Sequence, residues 1–368
     1  MKLVIDCLIF EDKKAFGYQE YLFNLLDYFF AHYSKLKAET VIIACEKKSV
    51  VSFEKYASRF LITPFNVSSR WKLLVIQNQL AEQLQLHPDD VILSTYNYAA
   101  VFKKCKSVLV IHDLLFLRKH LLNNTLMRMQ RKLLIPPSIR NADRIIAISN
   151  ATANDVIQHY TKASGKVSVA YNYFNFRKFD GDIPEDLSAY PLDRPYFLSV
   201  SSILKHKNVV TLLKAYEIYA TQGGLANLVL VGYYERMDAD SKAYYDSLNE
   251  AVKEKIFLTG YISNQLLKYC YQHCECFILP TKFEGLGMPV VEAMYFNAPC
   301  VLSDLEVCRE VSLGLAVYFN ADDYKGLAEI LTSKTYKSRE GVDFRQSIQQ
   351  KFSELQTSEK YIEVLNTI

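Results

Sequence analysis

The chain has 368 residues, half of them apolar, and its 43 Lys plus Arg against 40 Asp plus Glu leave a net charge of +3. That length exceeds the size at which one hydrophobic core keeps growing, so two domains are expected. No apolar run reaches the roughly 18 residues of a bilayer-spanning helix, which argues against an integral membrane protein.

Read in chain order, short β-branched runs alternate with helical patterns, as in parallel α/β layers. KLVIDCL (2–8), TVIIACE (40–46), DDVILST (89–95), SVLVIHD (107–113) and DRIIAIS (143–149) read as strands of a first sheet. YFLSVSS (196–202), NLVLVGY (227–233), IFLTGYI (256–262), CFILPT (276–281) and APCVLSD (298–304) read as strands of a second. Between them, YNYFNFRKFDGDIPEDLSAYPLDRP (171–195) holds no sustained period and is rich in Asp and Pro, so it reads as an interdomain connection with the boundary near residue 180. The expected organisation is therefore an N-terminal domain over 1–180, a C-terminal domain over 181–350, and a last helix, 351–368, returning toward the N-domain. Two doubly wound domains in tandem should gather ligands at the carboxyl ends of their strands, facing a shared cleft.

Charge is unevenly divided, with 23 Lys plus Arg against 14 Asp plus Glu in residues 1–170. Residues 101–140 hold nine basic side chains to one acidic, interleaved with apolar ones in LLFLRKHLLNNTLMRMQRKLLIPPSIR (114–140). Such a segment suits an anionic membrane surface, or an acidic lipid head group, phosphate or nucleic acid, and equally a core-packed helix with a solvated basic face. Because the excess is local, nucleic-acid binding is not expected.

The eight cysteines lie mostly within apolar runs and behave there as small hydrophobes. With no secretory leader in view, they are expected to be reduced and the protein cytoplasmic. In YCYQHCECF, Cys270, His273, Cys274 and Cys276 could ligate zinc, but the paired C-x-x-C knuckle is missing and no metal is expected.

KFEGLGMPVVEAM (282–294) places Glu284 on the turn leaving a strand and Glu292 on the first turn of the following helix, with Pro289 where a missing N–H does no harm. Gly285 and Gly287 allow close approach to the backbone, and the amides opening the helix suit an anion or hydroxyl oxygens. The bland alternative is a Gly-rich turn with Glu292 favoured by the helix dipole.

The wider run CFILPTKFEGLGMPVVEAMYFNAPCVLSD resembles the donor-site block of retaining glycosyltransferases of family 4, with its E-x7-E motif and the two-Rossmann-domain architecture called GT-B. FLSVSSILKHKNVVTLLKAY, LVLVGY, FLTGYIS, SVLVIHDLLF and ADRIIAISNATANDVIQHY are similar to further landmarks of that family, so the resemblance covers most of the chain from about residue 90. It implies a nucleotide-diphosphate sugar as co-substrate, no cofactor, and a glycan or lipid-linked glycan acceptor, and the basic segment 114–140 adds an expected peripheral contact with the inner face of the plasma membrane.

The resemblance also implies roles for individual residues. Lys207 would neutralise the leaving diphosphate. Glu284, with the backbone of Gly285, Leu286 and Gly287, would hold sugar hydroxyls, and Glu292 would accept from the ribose 2′- and 3′-OH. Thr259, Gly260 and Tyr261 would border the nucleobase. His112 and Asp113 would stand beside the reaction centre, and Gly17 would let the backbone approach the diphosphate. Ser202 stands where the family commonly has an arginine, with Lys205 or His206 as the compensating groups. The HDLLF context leans toward GDP-mannose as donor. A GT-B nucleotide-sugar 2-epimerase and a non-catalytic nucleotide-sugar-binding partner are the alternatives.

Overall fold

The computed structural model describes residues 1–10, 16–67, 70–99, 104–122, 124–183, 190, 192, 194–202, 204–233, 237–339 and 341–368. Parts of the connection expected over 171–195 (184–189, 191 and 193) and the residues just before Gly17 (11–15) lie outside the described set. The chain forms two compact units, one of residues 1–117, 124–174 and 352–368, the other of 118–123 and 175–351.

In the first unit the described residues form a seven-stranded sheet of β1 (Lys2–Cys7), β2 (Thr40–Glu46), β3 (Leu61–Phe65), β4 (Val91–Ser94), β5 (Lys106–Ile111), β6 (Arg144–Ala147) and β7 (Val167–Val169). Their order is β3-β2-β1-β4-β5-β6-β7, and neighbouring strands pair in parallel, Ile5 opposite both Ile43 and Leu93. The central strands are buried on both faces, which is why they read as unbroken apolar runs rather than alternating ones. The chain's last helix, Ser358–Asn366, packs within this unit. There Glu359 accepts from the Tyr28 hydroxyl and pairs with Lys35 at 2.8 Å.

The second unit repeats the plan with β8 (Tyr196–Val200), β9 (Asn227–Val231), β10 (Ile256–Gly260), β11 (Cys276–Leu279), β12 (Cys300–Ser303) and β13 (Val317–Phe319), ordered β10-β9-β8-β11-β12-β13. All its pairings are parallel. Phe197, Leu228, Ile278 and Val301 from the strands meet Leu212, Tyr216 and Leu327 from the covering helices to form its core. Two doubly wound parallel sheets of this kind are the Rossmann-like pair that the sequence implied.

The ten expected strands all form. The three the sequence did not reveal, β3, β7 and β13, each lie at a sheet edge. β3 contains Pro64 and is half exposed, and β7 and β13 are three residues long. Edge strands lack the two-sided burial that writes an apolar run, and proline is tolerated there.

Candidate active site

In a doubly wound sheet the strand order reverses at one point, and the loops leaving the two flanking strands part to open a crevice. In the second unit that point lies between β8 and β11. The loop after β8 carries Ser202 and Lys207, and the turn after β11 carries Glu284. Asn208, with φ 57°, stitches the two together, its amide donating to the Pro280 carbonyl at 2.9 Å and the Ala321 carbonyl at 2.7 Å. The Lys282 amide and the Thr281 hydroxyl both donate to the His206 carbonyl, at 2.7 and 2.9 Å.

On this frame the Lys207 ammonium donates to both oxygens of Glu284, at 2.6 and 2.8 Å, with both side chains largely buried. Gly287 ends the turn at φ 88°, a left-handed conformation open to glycine, and caps the helix Met288–Tyr295. Leu286 is buried beneath the turn. Glu292 is the fifth residue of that helix, past the first turn where the sequence placed it. The residue is 6% exposed and its carboxylate is doubly held, Oε1 by the Lys178 ammonium and Oε2 by the Tyr271 hydroxyl, each at 2.7 Å. Burial, reinforced by the adjacent Glu292 charge, pushes the Tyr271 hydroxyl well above its ordinary pKa, so it stays a donor.

Thr259 and Gly260 end β10, and Tyr261 follows with 60% of its surface exposed. Its ring lies 6.4 Å from that of Tyr233, inclined by only 20°, so the carboxyl ends of β9 and β10 carry two near-parallel exposed aromatics. Gly232 is constrained by close approach, since a Cβ there would sit 2.0 Å from the Ser201 carbonyl oxygen. Ser202 is exposed, and Lys205 pairs with Asp240 at 3.5 Å.

The first unit holds the remaining expected residues. His112 follows β5, its amide donating to Asn97 Oδ1 at 2.6 Å and its Nε2 bonding the Thr95 carbonyl at 2.9 Å. The second bond assigns the proton to Nε2 and leaves Nδ1 as an acceptor. The edge of Tyr21 packs on the ring at 4.7 Å. Burial lowers the His112 pKa from 6.5, against the pull of the Thr95 bond and the Asp113 charge, so the imidazole is neutral at pH 7. Asp113 turns back on its own loop, accepting from the Leu115 amide at 2.9 Å, and lies 3.8 Å from Arg131. Gly17 is exposed near the start of the helix Phe16–Ala31.

Four side chains escaped the sequence reading. Lys178 and Tyr271 hold Glu292 from 114 and 21 residues away, Tyr233 joins Tyr261 across two strands, and Asp6 lies buried at the end of β1. Lys178, Tyr271 and Tyr233 have no local signal in the sequence, because each is defined by a partner distant along the chain, and Asp6 stands out only through its burial. Cys270 and His273 lie in the helix Asn264–His273, Cys274 follows it and Cys276 enters β11. Among the described residues no group of three His, Cys, Asp or Glu side chains could hold a metal.

A lysine and two glutamates thus gather near the switch point of the second sheet, beside a glycine turn opening a helix, in a chain whose two Rossmann-like sheets have the GT-B architecture. The pattern described as "Glycosyl transferases group 1" matches residues 185–329, and that described as "Glycosyltransferase Family 4" matches residues 25–177. The chain belongs to this glycosyltransferase family.

It is 27% identical over 194 residues to the O-antigen chain mannosyltransferase RfbU of Salmonella typhimurium, covering 53% of this chain and 51% of that protein. The chain thus spans about half the length of that curated relative. It is 26% identical over 291 residues, 78% of this chain and 72% of the other, to an N-acetylgalactosamine-N,N′-diacetylbacillosaminyl-diphospho-undecaprenol 4-alpha-N-acetylgalactosaminyltransferase of Campylobacter jejuni. The fold matches that of Anabaena HepE, whose crystal structure holds UDP-glucose, with a TM-score of 0.73, 16% identity and full coverage of both chains.

Proposed function

We propose that this chain is a retaining glycosyltransferase that moves a sugar from a nucleotide-diphosphate donor to a glycan or lipid-linked glycan acceptor in cell-surface polysaccharide synthesis. The observation that carries this reading is the Lys207–Glu284 pair at the switch point of the second sheet. A donor entering there separates the pair, the diphosphate drawing the ammonium and the sugar hydroxyls taking its place on the carboxylate. As the anomeric C–O bond breaks, its electron pair leaves with the β-phosphate, and Lys207 together with the amides opening the helix Met288–Tyr295 stabilises that charge. The acceptor hydroxyl forms the new bond on the same face and gives its proton to the departing phosphate. Glu292 holds the ribose, and Thr259, Gly260 and Tyr261 border the base. The first unit's part in the reaction is assigned to neutral His112, with Asp113 shaping its loop, for the sugar, and to Gly17 for the diphosphate. No step calls for a metal, so turnover should persist in a chelator.

Mannose is the favoured sugar, supported by the likeness to the Salmonella mannosyltransferase, and GDP-mannose is the donor assigned with it. A lipid-linked acceptor places the enzyme at the inner membrane face. In the first unit, the helix Thr125–Asn141 supports such a contact, exposing Leu126, Met129 and Leu133 by 75, 62 and 66% on one face, with the exposed Lys132 in the same helix. Among the described residues no helix is long and apolar enough to cross a membrane. A thermal-shift screen against GDP, UDP, dTDP and their sugars tests the donor reading, since a ligand of the native state raises Tm. Absence of any turnover, or full turnover by Glu284→Ala, would sink it.

A further inference from the structure

We propose that the turn Phe176–Phe179 is a strap that sets the donor-site carboxylate of Glu292, with Lys178 and Tyr271 as its positioning residues. The inference rests on the donor reading above and adds to it residues that the E-x7-E block does not contain.

Three contacts bind this turn to the helix that carries Glu292. Lys178 Nζ lies 2.7 Å from Glu292 Oε1, with 18% and 8% of the two side chains exposed. Phe176 stacks on Tyr295 at 4.1 Å, inclined by 30°. Phe179 meets Phe296 edge-on at 4.9 Å. The turn is itself closed by Asn175, whose side chain accepts from the Arg177 amide at 3.1 Å. Lys178 is therefore delivered to one spot by a segment anchored on either side of it, which restricts a side chain that would otherwise be free to wander.

From the other side Tyr271, fully buried in the helix Asn264–His273, reaches Oε2 at 2.7 Å, and its ring lies nearly parallel to Phe296 at 6.0 Å. An ionised carboxylate has about four acceptor positions, and these two donors occupy one on each oxygen. Each oxygen keeps a second position, which matches the two hydroxyls of a ribose. Lys178 also sets a positive charge directly against this nearly buried carboxylate, so the two are taken out of water as a pair. A ribose hydroxyl is bound more tightly by an acceptor that is paired with a cation and fixed before the ligand arrives.

The test is calorimetric binding of GDP against 2′-deoxy-GDP, and of UDP against 2′-deoxy-UDP, to the full chain and to Lys178→Met, Lys178→Arg and Tyr271→Phe. The unmodified chain should bind the ribonucleotide at least about tenfold more tightly than its deoxy partner. Lys178→Met and Tyr271→Phe should shrink that ratio toward one by weakening the ribonucleotide alone, while Lys178→Arg keeps most of it. A merely structural role predicts equal weakening of both nucleotides, and that result, or an unchanged ratio in both variants, overturns the strap. If Lys178→Met fails to fold, the ratio for Tyr271→Phe decides. A chain that binds nucleotides without preferring ribose also overturns the strap but leaves the donor reading standing, whereas one that binds none of the four overturns the ribonucleotide donor itself.

Discussion

Lys207 donates to both carboxylate oxygens of Glu284, at 2.6 and 2.8 Å, across the point where the second sheet reverses its strand order. The two residues come from loops after β8 and β11, 77 positions apart. In this pair each charge satisfies the other. Removing one partner leaves the second buried alone, which costs more than removing both.

Lys207→Met and Glu284→Gln should each lower kcat/KM by roughly 10²–10³-fold, the scale of losing one electrostatic contact in a transition state. Lys207→Met should also lower Tm, and Lys207→Met/Glu284→Gln should recover Tm without recovering turnover. Differential scanning calorimetry beside steady-state kinetics separates the two effects. Wild-type-like turnover in either single variant would remove the pair from the mechanism.

Asp6 carries a pH signature. Burial pushes its carboxyl up to about 6 from 3.8, outweighing the Leu8 amide and the Gln77 side chain. Between about pH 4 and 6 the folded chain keeps a proton that the unfolded chain has lost. Stability on this account falls as pH rises through that window and is flat above it. Asp6→Asn should remove the slope and stabilise the chain above pH 6 by roughly 2–3 kcal/mol. Gln77 Oε1 is buried without a partner, so a flipped Gln77 amide can accept from the new side-chain NH₂. Urea titrations of both chains across pH 4–8 check this.

His112 acts with the opposite sign. Its folded pKa is lowered by burial, so below about pH 6.5 the unfolded chain binds a proton that the folded one resists. Its contribution is fully present above that pH and is lost as pH falls toward the folded value. In an Asp6→Asn background, which removes the competing slope, His112→Gln should flatten the remaining acid-side loss of stability. A slope unchanged by that substitution would assign the loss to another group.

The helix Thr125–Asn141 predicts a membrane phenotype that distinguishes its basic residues. Arg131 is 18% exposed, pairs with Asp113 at 3.8 Å and reaches the Tyr96 hydroxyl at 3.4 Å, so it belongs to the loop beside His112 rather than to the outer face. Leu126→Ser/Met129→Ser/Leu133→Ser should abolish co-sedimentation with anionic vesicles and leave Tm within a degree or two, since these side chains contribute little burial. Neutralising Arg128 and Lys132 should weaken it in a salt-dependent way. Arg131→Ala should instead disturb turnover. Equal pelleting by all the variants would rule out this face as the contact.

The sequence by itself determined the two α/β layers, because strands buried on both faces must be written as continuous apolar runs, and it marked the Glu284–Glu292 turn, because a left-handed backbone at Gly287 and a proline at a helix start need those residue types in adjacent positions. The edge strands β3, β7 and β13 escaped it for want of two-sided burial. Only the tertiary structure decided which donors meet those glutamates. Lys207 arrives through the switch point, Lys178 from the connecting turn and Tyr271 from the preceding helix. A long-range ion pair depends on where two backbones meet in space, and that meeting is set by packing and strand order rather than by any periodicity near either residue.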